Sequence, residues 1–231
     1  RRDGRRVEVV LGISPIRDGN GVVTGASIIA HDITQRKRAE RYLHAEQTVT
    51  SILSESKTLA EAAPRVLQTV AECMRWEVAA FWLVDQKAHV LRRVADWHAV
   101  WADAFFIEAL SQTTLLEAGV GIAGRTWSTG QPVWAAGLSI DGRNGQCSEA
   151  PSKGLHGGIG LPMRRGAEMV GVIEFYNHDL REPDALLLAA LDNIACQVSQ
   201  FSARHRTELA LNASEEQFRQ LADAMPQIVW T

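Results

Sequence analysis

Two helix-borne histidines, three cysteines and an excess of tryptophan are the features of this chain whose residue types could carry chemistry. A phosphoacceptor histidine would sit in His-Glu-x-x-Asn-Pro. His44 is followed by Ala45-Glu46 and His205 by Arg206-Thr207, so both read as exposed helix positions. Cys73, Cys147 and Cys196 lie far apart with no Cys-x-x-Cys pair, which argues against a zinc knuckle or a redox pair. Cys73 and Cys196 fall within apolar helical patterns and read as small buried hydrophobes. No P-loop, glycine-rich ATP lid, Gly-Gly-Asp-Glu-Phe run, nucleophile elbow or His-Glu-x-x-His is present. No catalytic residue and no metal site is expected. Seven tryptophans stand against two tyrosines. Such side chains fill a core with their N–H groups satisfied, or line a cavity for an organic ligand.

Composition narrows the classes further. A hydrophobic fraction of 46% with 22% charged residues is enough to bury a core and excludes bulk disorder. The net charge of −3 offers no footprint for a nucleic-acid backbone. Arg36-Lys37-Arg38 reads as a solvated helix face. No apolar run approaches the roughly 20 residues of a membrane span, and no signal segment opens the sequence. Scattered free cysteines fit a reducing cytoplasm, although a longer parent would be free to attach to a membrane elsewhere.

The elements that position these residues follow from periodicity. Val7, Val9, Leu11 and Ile13 alternate on one strand face, Asp18-Gly19-Asn20-Gly21 is a turn, and Val22 to Ala30 is the returning strand. Asp32 with Gln35, or Thr34, caps the next helix. In it Tyr42, Ala45, Val49 and Ile52 form a seam beside Leu43 and Leu53. Thr58-Leu59-Ala60-Glu61 caps a second helix reaching about Arg75. Val78 to Val84 is a continuous apolar run of a central strand, and His89 to Trp97 alternates as its neighbour. A short amphipathic helix is expected around Trp101 to Leu110, and another in Gly119 to Trp127. Val133-Trp134-Ala135 reads as an edge strand, and residues 137–154 as a long polar loop. Gly158 to Met163 and Val170 to Tyr176 form a hairpin through Arg165-Gly166. Pro183 opens a long helix with a seam at Leu187, Leu191, Ile194, Val198 and Phe201. Ser214 with Gln217 starts a new unit.

Several of these pieces resemble known families. Arg2-Asp3-Gly4-Arg5-Arg6 through Ser14-Pro15-Ile16 to His31-Asp32-Ile33-Thr34 resembles the C-terminal half of a PAS domain. Ser214-Glu215-Glu216-Gln217-Phe218 with Met225-Pro226-Gln227-Ile228-Val229-Trp230 resembles the start of another. Between them Gly121-Ile122-Ala123-Gly124-Arg125, Gly130-Gln131-Pro132-Val133-Trp134, Gly160-Leu161-Pro162-Met163 and Gly171-Val172-Ile173-Glu174-Phe175 resemble a GAF domain. The resemblance implies an α+β fold: a GAF-like antiparallel sheet of about five to six strands with flanking helices, plus a partial PAS hairpin and long connecting helices. It implies a PAS end at 1–34, a signalling helix at 35–57, a GAF domain at 46–203, a helical linker at 204–213 and a PAS start at 214–231.

PAS–GAF–PAS arrays are similar to the input regions of bacterial sensor histidine kinases, and in other cases of cyclic-dinucleotide enzymes. The fragment is therefore expected to be a non-catalytic sensory and dimerisation piece of a two-component receptor. Its expected partners are a second copy through helices 35–55 and 184–212, a downstream kinase domain in the same chain, a response regulator and a small-molecule ligand. No nucleic acid is expected. Asp32, Ile33 and Thr34 would couple the first sheet to the helix that follows. A GAF pocket between sheet and loops would draw on Trp82, Arg93, Trp97, Trp127, Trp134, His156 and Phe175. No cofactor is indicated. Cys147 is followed by Ser148-Glu149 and not by the histidine of a bilin site, and His156 beside Gly157-Gly158 reads as a loop residue more than a haem ligand. Asn177-His178 with Glu182-Pro183-Asp184 departs from the cyclic-nucleotide signature.

Overall fold

The computed structural model describes residues 7–102, 107–108, 112–136, 139–141, 146–148, 157–178 and 183–224. Contacts divide the chain into two compact units, Arg1–His44 and Ala45–Thr231.

In the first unit β1 (Val9–Arg17) and β2 (Val23–Asp32) form a two-stranded antiparallel hairpin. The expected turn is built by Asp18, whose Oδ1 accepts the backbone N–H groups of Asn20 and Val22, both at 2.9 Å. Leu11 faces Ala30 and Ile13 faces Ile28 across the ladder, which makes one side of the ribbon apolar. These side chains are exposed, Ile13 at 66% and Ile28 at 63%. The helix α1 (Thr34–Glu55) starts where β2 ends. Thr34 N–H donates to Asp32 Oδ1 at 3.0 Å, Glu8 N–H donates to Thr34 Oγ1 at 2.9 Å, and Arg41 pairs with Glu8 at 2.7 Å.

The second unit is a six-stranded antiparallel sheet in the order β5-β4-β3-β10-β9-β6. Its strands are β3 (Val78–Asp85), β4 (Val90–His98), β5 (Leu115–Leu116), β6 (Val133–Ala136), β9 (Gly157–Arg165) and β10 (Glu168–Asn177). The expected central strand, β3, is paired on both sides. The expected edge strand, β6, lies at the outer margin.

One face of this sheet is covered by the latter part of α1, by α2 (Leu59–Met74) and by the long helix α4 (Ala185–Ala224). The seam residues Ala45, Val49 and Ile52 and the pair Leu191 and Val198 are buried there with Phe81, Leu161, Ile173 and Phe175. Each fully buried large apolar side chain stabilises the fold by about 1.5–3 kcal/mol. On α2, Thr58 accepts the N–H of Glu61 at 3.2 Å, as its capping pattern requires. The opposite face is covered by α3 (Gly121–Thr129). There Ala80, Trp82, Leu91, Leu116, Ala123 and Val172 form a separate cluster.

Some expectations are corrected. Cys196 lies on the exposed side of α4 and is not a core residue, whereas Cys73 is half-buried and packs against the core cluster. The segment read as one long loop contains a short ladder, β7 (Ser139–Asp141) with β8 (Gln146–Ser148). Ser214 lies inside α4, which runs unbroken to Ala224. The helix expected at Trp101 to Leu110 and the strand expected after Met225 lie largely outside the described residues. Among the described residues, no helix is long and apolar enough to cross a membrane.

Candidate functional site

A single carboxylate interrupts the apolar run of β10. Strand alternation puts Val172, Glu174 and Tyr176 on the α3 face and Ile173 and Phe175 on the helix-covered face. Glu174 is flanked in the ladder by Gly160 on β9 and Ala80 on β3. Both neighbours are small, and α3 closes over Gly160 with Thr126 and Ile122.

The Glu174 carboxylate is met by donors. Trp82 Nε1–H donates to Glu174 Oε1 at 2.7 Å, and the Tyr176 hydroxyl donates to Oε2 at 2.7 Å. The backbone N–H of Ala123, in the first turn of α3, also donates to this carboxylate. Val120 caps α3 without a side-chain hydrogen bond. Glu174 supplies from another strand the acceptor that the first turn lacks. Burial pushes the Glu174 carboxyl up from the usual 4.5 to about 7, while Tyr176, Trp82, the Ala123 N–H and the charge of Arg93 pull the other way. With Glu174 only 2% exposed, desolvation wins.

Glycines set the position of α3. Gly121, with φ +65°, starts it, and Gly130, with φ +61°, ends it by donating its N–H to the Thr126 carbonyl. Gly160 lets it lie flat on the sheet: a Cβ there would come 2.2 Å from Thr126 Oγ1 and 2.7 Å from Ile122 Cγ2. Thr126 Oγ1 is buried with no hydrogen-bond partner among the described residues.

The seven residues expected around one pocket are divided by the sheet. Trp82, Trp127 and Arg93 share the α3 face with Glu174: Trp127 packs on that cluster, and Arg93 pairs with Trp82 across β3 and β4. Arg93 also faces Asp96 at 3.6 Å. Trp97, Trp134 and Phe175 pack on the opposite, helix-covered side, where Phe175 lies 5.8 Å from Trp76, ring centre to ring centre. His156 lies outside the described residues. Glu174 and Tyr176 were not expected as site residues, although a lone carboxylate inside Val170 to Tyr176 was the available signal. Among the described residues, no group of three His, Cys, Asp or Glu side chains is arranged to hold a metal.

Chemically, this face offers the indoles of Trp82 and Trp127, a guanidinium–carboxylate pair and a buried carboxyl pushed up to about 7. Both Glu174 oxygens are engaged by protein donors, so it organises the face and is not presented as a nucleophile.

The comparisons agree with this architecture. The GAF domain family matches residues 56–201. No curated protein matches the chain. A solved free methionine-R-sulfoxide reductase from Neisseria meningitidis, in complex with its substrate, is 18% identical with a TM-score of 0.58, over 74% of this chain and 93% of that one. The GAF domain of an Acinetobacter phosphoenolpyruvate-protein phosphotransferase is 15% identical with a TM-score of 0.56, over 72% and 95%. The A. aeolicus Nlh2 GAF domain in an inactive state is 16% identical with a TM-score of 0.55, over 71% and 96%. At such identities the likeness is one of fold.

Proposed function

The chain belongs to the GAF domain family across residues 56–201, and from that membership we propose that it is a sensory and regulatory module of a larger cytoplasmic signalling protein. The reading extends to a two-component sensor histidine kinase, with the exposed apolar hairpin β1–β2 as the end of a PAS sheet and a kinase domain elsewhere in the same parent. A small organic molecule is the proposed input, bound on the α3 face against Trp82, Trp127 and Arg93. A response regulator is the proposed recipient of the output.

The observation that carries this reading is the placement of α1 and α4. They enter and leave the domain side by side, where Thr50 Oγ1 meets Gln197 Oε1 at 2.9 Å. A shift of α3 on one face of the sheet would reach these helices through the strands they pack on. A second copy of the chain would dock along the same pair, and exposed Cys196 on α4 reports on it.

Native mass spectrometry with an absorbance spectrum on the purified chain tests the reading. A dimer that forms a Cys196–Cys196 disulfide on mild oxidation supports the helical interface, and a monomer overturns it. Retained mass of a few hundred daltons per chain supports the ligand, with a visible band assigning it to a tetrapyrrole or flavin. An absence of binding across a metabolite library would leave a structural spacer. Phosphotransfer from ATP by the parent supports the kinase assignment. Synthesis or hydrolysis of a cyclic dinucleotide would replace it.

A further inference from the structure

The start of α3 is where this face would hold an anionic group. The first N–H groups of a helix have no partner within it, and with the helix dipole they take phosphates and carboxylates. Val120, the N-cap, makes no side-chain hydrogen bond to them. Ala123 is the third residue of α3, and its N–H is one that a serine or aspartate N-cap would take. Here that N–H goes to Glu174 of β10. The Trp82 indole N–H and the Tyr176 hydroxyl, both at 2.7 Å, converge on the same carboxyl. Donors from β3, β10 and α3 thus end on one side chain that the chain itself supplies.

We propose that Glu174 is a resident acceptor: it fills the start of α3 from within the chain, closes that point to a ligand's phosphate or carboxylate group, and leaves the α3 face to uncharged organic molecules.

The ligand class rests on the reading that this face binds a small molecule, whereas the filling of the α3 start rests on geometry alone. That filling holds in either protonation state. The Tyr176 hydroxyl donates to the ion and can turn to accept from the acid, and the two N–H donors keep an oxygen in both cases. Solvation points the same way. The burial that pushes Glu174 up to about 7 would also weigh on a ligand's own charged group brought to this point. Nearby charges are answered within the chain. Arg93 faces Asp96 at 3.6 Å, and Arg125 turns its Nε to the Gly121 carbonyl at 3.1 Å. The partly buried side chains packed around the Trp82 cluster are apolar: Val84, Val120, Trp127 and Met169. Such a rim suits an organic molecule without an ionised group.

Nuclear magnetic resonance of the full chain tests it, read at the Ala123 amide and the Trp82 indole N–H. In the native chain neither resonance should move with inorganic phosphate or formate, and a saturable shift with either overturns the proposal. In Glu174→Ala the donors are left open. Formate should then shift both resonances saturably and raise the thermal midpoint by about 2–4 °C over chloride at equal ionic strength. A variant that responds alike to formate and chloride overturns the proposal. Should the variant not fold, the response of the native chain to phosphate decides alone. The ligand class is read separately, from any molecule retained in native mass spectrometry. An uncharged one supports the proposal, and a phosphate ester or carboxylic acid overturns it. If nothing is retained while formate restores Glu174→Ala, the ligand reading falls and Glu174 keeps its place at the start of α3.

Discussion

Trp82 on β3 donates its indole N–H to Glu174 on β10 at 2.7 Å, diagonally across the β3–β10 pair and shielded from water. This bond satisfies the largest polar side chain of that core cluster, and it fixes a carboxylate where no ion would settle by itself. Its consequence for stability has a definite sign. A carboxyl raised from 4.5 to about 7 binds its proton more tightly in the folded chain than in the unfolded one. Folding stability attributable to Glu174 is thus full below about pH 4.5 and is lost as pH rises to about 7. The loss should total about 3 kcal/mol before other groups are counted. Urea unfolding of the native chain and of Glu174→Gln, followed from pH 5 to pH 8, should give curves that converge at high pH or cross. Parallel curves would show that Glu174 does not titrate in this window.

Gly160→Ala should be costly out of proportion to one methyl group. The new Cβ would lie 2.2 Å from Thr126 Oγ1 and 2.7 Å from Ile122 Cγ2, so α3 must move or Thr126 must turn. A loss of about 1–3 kcal/mol is expected in thermal or chemical unfolding. Adding Thr126→Ala should recover part of it, because the closest contact is then removed, whereas the Ile122 contact remains. Gly19→Ala is the control, with open space around its Cβ and a nearly unchanged midpoint expected.

Thr126→Val tests a different term at the same place. The Thr126 hydroxyl is buried and has no partner among the described residues. Valine keeps the branched shape and removes the unsatisfied group, so stability should be unchanged or should rise by up to about 1–2 kcal/mol. A clear loss would mean that the hydroxyl has a partner, such as a bound water, worth more than its burial costs.

Much of this fold is legible in the sequence because its signals are local. The seam at Ala45, Val49 and Ile52 is a helical period, Val78 to Val84 is a run too apolar for an exposed strand, and Gly130-Gln131-Pro132 ends a helix. The site was legible only in part, for a reason visible on β4. Arg93 and Trp97 are four residues apart, which in a regular strand puts them on one face. A bulge opposite Phe81 and Trp82 shifts the register at Val94. Arg93 then faces α3 while Trp97 faces the helices. No residue type near Val94 announces the bulge. Glu174 escaped notice because its partners Trp82 and Ala123 lie far away in sequence, so their approach is a property of the sheet and of α3 together.

Asp32→Ala separates signalling from folding. Asp32 Oδ1 holds the N–H of Thr34 at 3.0 Å, and Thr34 Oγ1 in turn holds the N–H of Glu8 at 2.9 Å. Removing the carboxylate frees the first turn of α1 at an expected local cost of about 0.5–2 kcal/mol. The second compact unit begins at Ala45, and its core contains none of these groups. Its unfolding midpoint should therefore stay within error of the native value, while amides at the start of α1 exchange faster. If the Asp32-Ile33-Thr34 junction transmits the input and the parent is the kinase proposed above, the parent protein carrying Asp32→Ala should keep its basal phosphotransfer and lose its response to stimulus. A parent that responds as before would assign this junction to local structure alone, because the first turn of α1 would have been loosened without effect on the output.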